Sequence, residues 1–192
     1  ATFAQTSATT TTVNGSGIVY TGFESLRGST GGDAFDLGAG FGPSGTIDGN
    51  GGTDTIRGAT AYTITGADSG TADGTAFVAV DNLTGLINSD DSFSFGASGT
   101  LSGAIDGLEG TGTGDTIAGL GSYTINAGDG GGATGLGSFA NVEHLTGRAA
   151  LNDTFAFLAG GSLNGIVDGV SGVSDVVSYT DSITHSAGVD AI

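Results

Sequence analysis

The sequence predicts an all-β fold, a right- or left-handed parallel β-solenoid of the β-helix or β-roll type. Leu26, Leu83 and Leu145 open three copies of one pattern, at intervals of 57 and 62 residues. Apolar residues come in short alternating clusters bounded by Gly, Asp, Asn or Ser, which is typical of strands. The 40 Gly residues among 192 disfavour long helices, since each costs about 1 kcal/mol relative to Ala.

Each copy continues with the same short motifs in the same order, a Leu-x-Gly step, an Asp-x-Phe step, an Ile/Val-Asp-Gly step and an Asp-x-Ile/Val step. In the first copy these motifs and the residues that follow predict six strands, centred near Leu26, Phe35, Ile47, Ile56, Ile64 and Phe77. A repeat of this length fits about three turns of ~20 residues. A propeller blade takes about 40–50 residues, and the three repeats would give only three blades, too few to close a ring. A sandwich does not ordinarily repeat its sequence. We therefore expect repeats at about 23–79, 80–141 and 142–192, the last incomplete.

The first twelve residues differ from the rest of the chain. Residues 1–12 contain no Gly and end in a run of four Thr, which favours strand. Two interpretations stay open, a flexible leader and a donor strand that pairs with a neighbouring subunit. Residues 13–192 are expected to form a single solenoid body.

The charge of the chain restricts its partners. Twenty acidic residues stand against three Arg and no Lys, a net charge of −17. Such a chain is not expected to bind nucleic acid. No apolar run approaches the roughly 20 residues of a membrane span. Without Cys there are no disulfides or thiolate metal sites. Cations are the natural counter-partners.

Two glycine-rich segments carry a family resemblance. Gly28-Ser29-Thr30-Gly31-Gly32-Asp33-Ala34-Phe35-Asp36 and Gly49-Asn50-Gly51-Gly52-Thr53-Asp54-Thr55-Ile56-Arg57 each resemble, without its second Gly, the nonapeptide of RTX secreted proteins. That resemblance implies a parallel β-roll with Ca²⁺ between successive turns. The matching units here stand alone rather than in tandem, and they are degraded in the later copies. The long-period layout over residues 22–185 is similar to the repeat arrays of large bacterial surface and adhesin-type proteins.

Nine repeated aspartates are the candidate metal ligands. They are also good turn formers, because an Asp side chain accepts backbone N–H groups in Asx turns. Calcium is the one cofactor that the pattern suggests, with these candidate ligands: Asp33, Asp48, Asp54, Asp91, Asp106, Asp115, Asp153, Asp168 and Asp175.

The sequence does not predict an enzyme. His144 and His185 are the only histidines, and His144 takes a position held by Ser25 and Asn82 in the other copies, which predicts a tolerant, solvated site. Asp90 and Asp91 form a carboxylate pair, but Asp91 is the repeated turn residue. No cluster of polar residues interrupts the repetition as an active site would.

The expected function is therefore structural. Glu24, Asp81 and Glu143 should form an acidic stripe on one face, as should Asp48, Asp106 and Asp168, and such stripes could be bridged by cations between neighbouring fibres. Neither end resembles a cap, since Ser182-Ile183-Thr184-His185 falls near the position of Tyr62 in its repeat. Uncapped ends predict head-to-tail homopolymers.

These features predict a subunit of an extracellular bacterial fibre or adhesin stalk, secreted or displayed at the cell surface. A first residue of Ala rather than Met suits a processed secreted chain. Two alternatives remain open, an RTX-like calcium-binding module of a secreted protein and a sugar- or ligand-binding adhesin segment.

Overall fold

The protein is described here by a computed structural model that covers residues 2–7, 10–13, 19–21, 23–38, 42–108, 114–172 and 174–180. This part of the chain contains strands and no helix, which confirms the predicted all-β class. Its strands are β1 Thr2–Ser7, β2 Thr10–Val13, β3 Val19–Thr21, β4 Leu26–Arg27, β5 Ala34–Leu37, β6 Thr46–Asp48, β7 Thr55–Arg57, β8 Ala61–Gly66, β9 Ser69–Ala72, β10 Thr75–Val78, β11 Asn82–Thr84, β12 Ser92–Phe95, β13 Leu101–Asp106, β14 Thr116–Ala118, β15 Ser122–Ala127, β16 Gly130–Ala133, β17 Leu136–Ala140, β18 His144–Thr146, β19 Thr154–Phe157, β20 Val167–Asp168 and β21 Val176–Tyr179.

The strands form two sheets. The long sheet has 12 strands in the order β21-β19-β15-β16-β17-β13-β11-β7-β5-β1-β2-β3. The short sheet has nine strands in the order β20-β18-β14-β12-β8-β9-β10-β6-β4. From β4 onward the chain passes alternately from one sheet to the other, except that β8–β10 and β15–β17 each stay within one sheet.

Stacking is parallel between successive passes and places apolar residues in line. In the long sheet Phe35 lies beside Ile56, Ile56 beside Leu83, and Leu83 beside Ile105. All four side chains are buried in one apolar cluster that fills the space between the sheets. Rings stack on rings in the same way, as Tyr123 does on Phe155 with centroids 5.1 Å apart. Tyr62 stacks on Phe93 in the same manner, and both tyrosines are buried.

Two antiparallel meanders interrupt the parallel stacks, and they were not expected from the sequence. β8, β9 and β10 lie side by side within the short sheet, and β15, β16 and β17 do so within the long sheet. The sheets are therefore mixed. The outer strands of each meander are the predicted ones, and the middle strand, Ser69–Ala72 or Gly130–Ala133, is the unexpected addition.

Each of the first two repeats makes five passes between the sheets, counting a meander as one pass. Because five is odd, the next repeat begins in the opposite sheet. The Leu-x-Gly strands β4, β11 and β18 accordingly lie in the short, long and short sheet. The predicted acidic stripes along one face are therefore wrong, since equivalent residues of successive repeats lie on opposite sheets.

The N-terminal strands form a third meander at one end of the long sheet. β1 pairs in parallel with β5 of its own chain, with Phe3 beside Phe35, and β2 and β3 follow as antiparallel neighbours. The segment expected as a leader or donor strand thus pairs within its own chain. The motif at 182–185 lies outside the described residues. Within the described part there is no helix of the length and apolarity that a membrane crossing requires.

Candidate functional site

Acidic side chains, several of them buried, link neighbouring strands in three short series, which we call aspartate ladders. In each, the backbone N–H at the start of one strand donates to a carboxylate at the start of the next strand in the same sheet. The links are Asp33 to Asp54 (2.8 Å), Asp54 to Asp81 (2.8 Å), Asp91 to Asp115 (2.7 Å), Asp115 to Glu143 (2.7 Å) and Asp153 to Asp175 (3.0 Å). One ladder belongs to each repeat. The first and third lie in the long sheet and the second in the short sheet.

The loops that precede these strands close in two different ways. After each Leu-x-Gly step, the next backbone N–H donates to the ladder Asp, as from Leu86 to Asp91 at 2.8 Å. After each Ile/Val-Asp-Gly step, the same N–H donates instead to the motif's own Asp in an Asx turn. Those turns join Asn50 to Asp48 (2.9 Å), Leu108 to Asp106 (3.1 Å) and Val170 to Asp168 (2.7 Å). The residue before the Gly therefore decides which carboxylate closes the loop.

Glycines make room for the ladder carboxylates. Gly85 lies so close to the Asp91 carboxylate that a Cβ there would clash with Oδ2 and with the Gly107 carbonyl. The equivalent glycines of the other loops face their own aspartates in the same way. The invariant pairing of Gly and Asp in the sequence is thus a steric requirement of the ladder, and it would hold without any metal.

Burial makes three of the ladder carboxylates, those of Asp54, Asp91 and Asp115, weaker acids than usual. Burial raises the pKa of Asp91 to about 7. The hydrogen bond from Leu86 lowers this pKa, and the negative charges of Asp115, Asp73 and Asp90 raise it further. Burial likewise raises the pKa of Asp115 to about 6. The hydrogen bond from the N–H of Asp91 lowers this pKa, and the charges of Glu143, Asp90 and Asp106 raise it. The pKa of Asp54 is raised for the same primary reason. Part of the ladder therefore titrates near neutral pH.

The nine calcium candidates separate into two groups. Six are ladder residues, Asp33, Asp54, Asp91, Asp115, Asp153 and Asp175, and three form Asx turns, Asp48, Asp106 and Asp168. In the described ranges no three His, Cys, Asp or Glu side chains are grouped as a metal site would require. Four buried carboxylate oxygens of the described residues have no hydrogen-bond partner, Oδ1 of Asp36, Oδ2 of Asp54, Oδ1 of Asp91 and Oδ1 of Asp153. Those of Asp36 and Asp153 lie 3.8 and 3.7 Å from an Arg side chain, whereas those of Asp54 and Asp91 have no such ion pair with a described residue.

Asp81 and Glu143, expected in a solvated acidic stripe, are the last members of two ladders. Each accepts the backbone N–H of the aspartate in the preceding strand, Asp54 or Asp115. They are half-buried rather than fully solvated. Their recurrence one residue before the x-Leu step therefore reflects a link between strands.

His144 occupies a structural position. Its Nδ1 accepts the backbone N–H of Ile166 at 3.0 Å. Asn82 accepts the N–H of Ala104 at 2.9 Å, and Ser25 accepts that of Thr46 at 3.1 Å. All three hold the neighbouring strand in register. The prediction of a tolerant position is consistent with three different residues doing this. His144 is half-buried, so it contacts solvent while it accepts this hydrogen bond. His185 lies outside the described residues.

A shallow hollow lies over the outer face of β15–β17. Its lining includes Ser122, Thr124, Asn126, Gly131 and Ser138, and no ionisable side chain lines it. The groups that acid–base or nucleophilic catalysis needs are therefore not gathered there.

The C-terminal end of the two sheets exposes residues that are buried elsewhere. Val177 lies in line with Phe155, which is 1% exposed, yet Val177 itself is 50% exposed. Val176, Tyr179 and Ile166 are also exposed. β20 and β21 are the last described strands of their sheets, so no described strand covers these side chains on the outer side.

Sequence reasoning missed Asp68 and Asp129, which support the meanders. Asp68 accepts the N–H of Ser102 at 2.7 Å, and Asp129 accepts that of Asn164 at 2.6 Å. Both have positive φ, 48° in each case. Their equivalent positions in two repeats were the available signal.

Comparison with protein-family models, with curated proteins and with solved structures finds no match.

Proposed function

We propose that this chain is a non-enzymatic structural subunit of an extracellular bacterial fibre or adhesin stalk. In this proposal the two sheets are the walls of a parallel β-solenoid, and subunits join head to tail through the open ends of both sheets. Two observations support a solenoid: the chain passes alternately between the two sheets, and strands of successive passes pair in parallel. The mixed character of the sheets comes from the meanders, each of which replaces a single strand of one wall.

The observation that carries the proposal is the exposed C-terminal end. Edge strands that offer unpaired N–H and C=O groups beside apolar side chains are templates for pairing with another chain. Val176 and Val177 on β21 present such an edge. Fully burying an exposed Val side chain contributes about 1.5–3 kcal/mol, so covering these two half-exposed side chains contributes about that amount in total.

The surface and the interior suit a load-bearing rather than a catalytic role. A net charge of −17 keeps a long polymer soluble and resists lateral aggregation. The ladders and the Ser25, Asn82 and His144 links hold strands in register from inside and outside. The extracellular location rests on the resemblance to surface-protein repeat arrays and on the acidic composition.

Negative-stain electron microscopy of the purified chain tests this function. We expect unbranched fibres at micromolar concentration, growing more numerous as salt screens the acidic surface. A chain that stays monomeric in sedimentation velocity at every concentration and ionic strength would exclude a self-assembling fibre subunit.

Calcium binding is the second candidate, and one observation favours it. Oδ2 of Asp54 and Oδ1 of Asp91 are buried without hydrogen-bond partners, although buried carboxylate oxygens are normally paired. Ca²⁺ needs six to eight oxygen ligands, which here would have to include backbone carbonyls. Thermal melts with added Ca²⁺ and with chelator decide the matter, since identical melting curves would rule out a calcium-dependent fold.

A further inference from the structure

The sheet edges at the two ends of the molecule are of complementary kinds. Strand β21 carries the last two residues of an Asp-x-Ile/Val step, as β7 and β14 do. In both of those cases the next strand in the sheet is a Leu-x-Gly strand, so that Ile56 lies beside Leu83 and Ile117 beside Leu145. β21 is the last described strand of the long sheet, and β4, a Leu-x-Gly strand, is the last of the short sheet at the opposite end.

The other pair of edges matches in the same manner. The Ile-Asp-Gly strands β6 and β13 each pair in parallel with the third strand of a meander, which places Ile47 beside Phe77 and Ile105 beside Phe139. β20 is the third Ile/Val-Asp-Gly strand, and it is the last strand of the short sheet. β3 is the third strand of the N-terminal meander and ends the long sheet at the other end of the molecule.

The N-terminal meander is equivalent to the two internal ones. Its first strand β1 pairs in parallel with the Asp-x-Phe strand β5, as β8 pairs with β12 and β15 with β19. In β3, Tyr20 lies six residues before Leu26, the interval that also separates Phe77 from Leu83. The backbone of β3 therefore occupies the position that β10 and β17 have in their own meanders.

We propose that a second copy of this chain docks on the C-terminal end with its β4 beside β21 and its β3 beside β20. The register follows from the internal pairs and sets Val177 beside Leu26 of the second copy and Val167 beside Tyr20. The inference rests on the proposed head-to-tail assembly and specifies its interface. The long sheet of one copy then continues into the short sheet of the next, so successive copies are related by about half a turn.

The aspartate ladder supports the same junction. Asp54 and Asp115 each donate a backbone N–H to an acidic residue that lies two positions before the Leu of a Leu-x-Gly strand, Asp81 or Glu143. The residue two positions before Leu26 is Glu24. Glu24 of the second copy would therefore receive the N–H of Asp175, which makes the third ladder as long as the other two.

A second copy fits this end for a reason of symmetry. The contact joins two different surfaces of the same molecule and does not close on itself, so that repetition gives a filament. The pairing of β4 with β21 and that of β3 with β20 can form at the same time. Both pairings are parallel, as are the equivalent pairs within the chain. No strand of the described fold has to be displaced, because β1 stays paired with β5, and β2 and β3 keep their places beside β1.

Engineered disulfides test this register, since the chain has no Cys of its own. Ser178 on β21 should lie beside Arg27 of the second copy, as Arg57 lies beside Thr84 within the chain. We expect a chain with Ser178→Cys, mixed with a chain with Arg27→Cys, to give a covalent dimer on oxidation. Both side chains face outward and are exposed, so neither substitution should disturb the core.

Two matched variants calibrate the experiment. Arg57→Cys with Thr84→Cys in one chain should close an internal disulfide, which shows that this geometry permits the bond. Ser178→Cys mixed with Ser25→Cys is out of register by two residues, which places the Cα atoms more than ~7 Å apart and prevents bridging. We expect at least tenfold less dimer from that mixture. Circular dichroism of each variant confirms that it is folded.

The outcomes separate the interface from the function. Fibres together with a dominant Ser178–Arg27 cross-link support both. Fibres with cross-links that favour the Ser25 position, or with none, overturn the register and leave the assembly standing. Variants that are folded, form no fibres and give no cross-link overturn the assembly itself.

Discussion

The backbone N–H of Asp33 donates a 2.8 Å hydrogen bond to Oδ1 of Asp54, the residue that immediately precedes the next strand of the same sheet. The Asp54 side chain is fully buried. Its carboxylate thus holds two strands in register from within the loop layer, beside the apolar core. The same kind of link recurs in every repeat, and in the first two repeats its accepting carboxylates include a buried one, Asp54 or Asp115.

Stability should fall as the pH rises through neutrality. The pKa of Asp91 is about 7 and that of Asp115 about 6 in the folded chain, both above the ordinary value near 3.8. The folded state therefore binds protons more tightly than the unfolded state, and the stabilisation is complete below about pH 4 and lost by about pH 7. We expect the melting temperature to be several degrees higher at pH 5 than at pH 8. Equal melting temperatures would contradict the raised pKa values.

Asp91→Asn identifies the group responsible for this dependence. The amide oxygen can still accept the N–H of Leu86, while the buried charge is removed, so the variant should melt higher than the parent at pH 8 and vary less with pH. Asp168→Asn is the control, because it removes one charge at an exposed turn where Asn can accept the same N–H of Val170. A similar gain in both variants would point to net charge rather than to burial.

Gly85→Ala should destabilise the fold by about 1–3 kcal/mol, as overpacking does. The added methyl group would clash with the Asp91 carboxylate and with the carbonyl of Gly107. Gly51→Ala is matched to it, because a Cβ at Gly51 would meet nothing within 4 Å. Urea denaturation should find the second variant within about 0.5 kcal/mol of the parent. Equal losses in the two variants would disprove the steric role of the glycine.

His144→Asn should be tolerated, whereas His144→Ala should cost about 1 kcal/mol. The Asn side chain can accept the N–H of Ile166 as Asn82 accepts that of Ala104, while Ala leaves this donor without its partner. Denaturant titration compares the two. If the Asn variant were as unstable as the Ala variant, the side chain would have another role than holding β20 in register.

Val177→Asp should block assembly and leave the single chain folded. Val177 is half exposed in the isolated chain, and it would be buried beside Leu26 of a second copy, where an unpaired carboxylate is costly. We expect the critical concentration for fibre formation to rise at least tenfold, as measured by sedimentation. Ser94→Asp is the control, because it adds the same charge on the outward face of β12, in the middle of the stack, and should leave fibre formation unchanged. Fibres from Val177→Asp at the parent concentration would refute the proposed contact.

The sequence predicted the positions of strands better than their arrangement. The six strand centres expected in the first repeat lie in β4, β5, β6, β7, β8 and β10. The strand between the last two, Ser69–Ala72, carries no large apolar residue. It is held by its neighbours on both sides, and at Gly70 a side chain would clash with the carbonyl of Thr63. A search for alternating apolar residues does not detect a strand that has none.

The missed meander explains why the acidic stripes were predicted wrongly. Without β9, the strands around Ile64 and Phe77 count as two separate passes, which gives an even number for each repeat. With it, the repeat has five passes and changes sheet. The candidate aspartates were found because they recur, but their separation into ladders and Asx turns depends on hydrogen bonds that the sequence does not reveal.

The spacing of subunits along the fibre tests the account most directly. With 12 strands in one sheet and nine in the other, each sheet continuing into its opposite, two copies should span about 100 Å at ~4.8 Å per strand. Helical reconstruction from cryo-electron micrographs should therefore give a rise of about 50 Å per copy, a rotation of about half a turn, and strands perpendicular to the fibre axis. Fibres with strands along the axis, or with a rise unrelated to this stack, would contradict it.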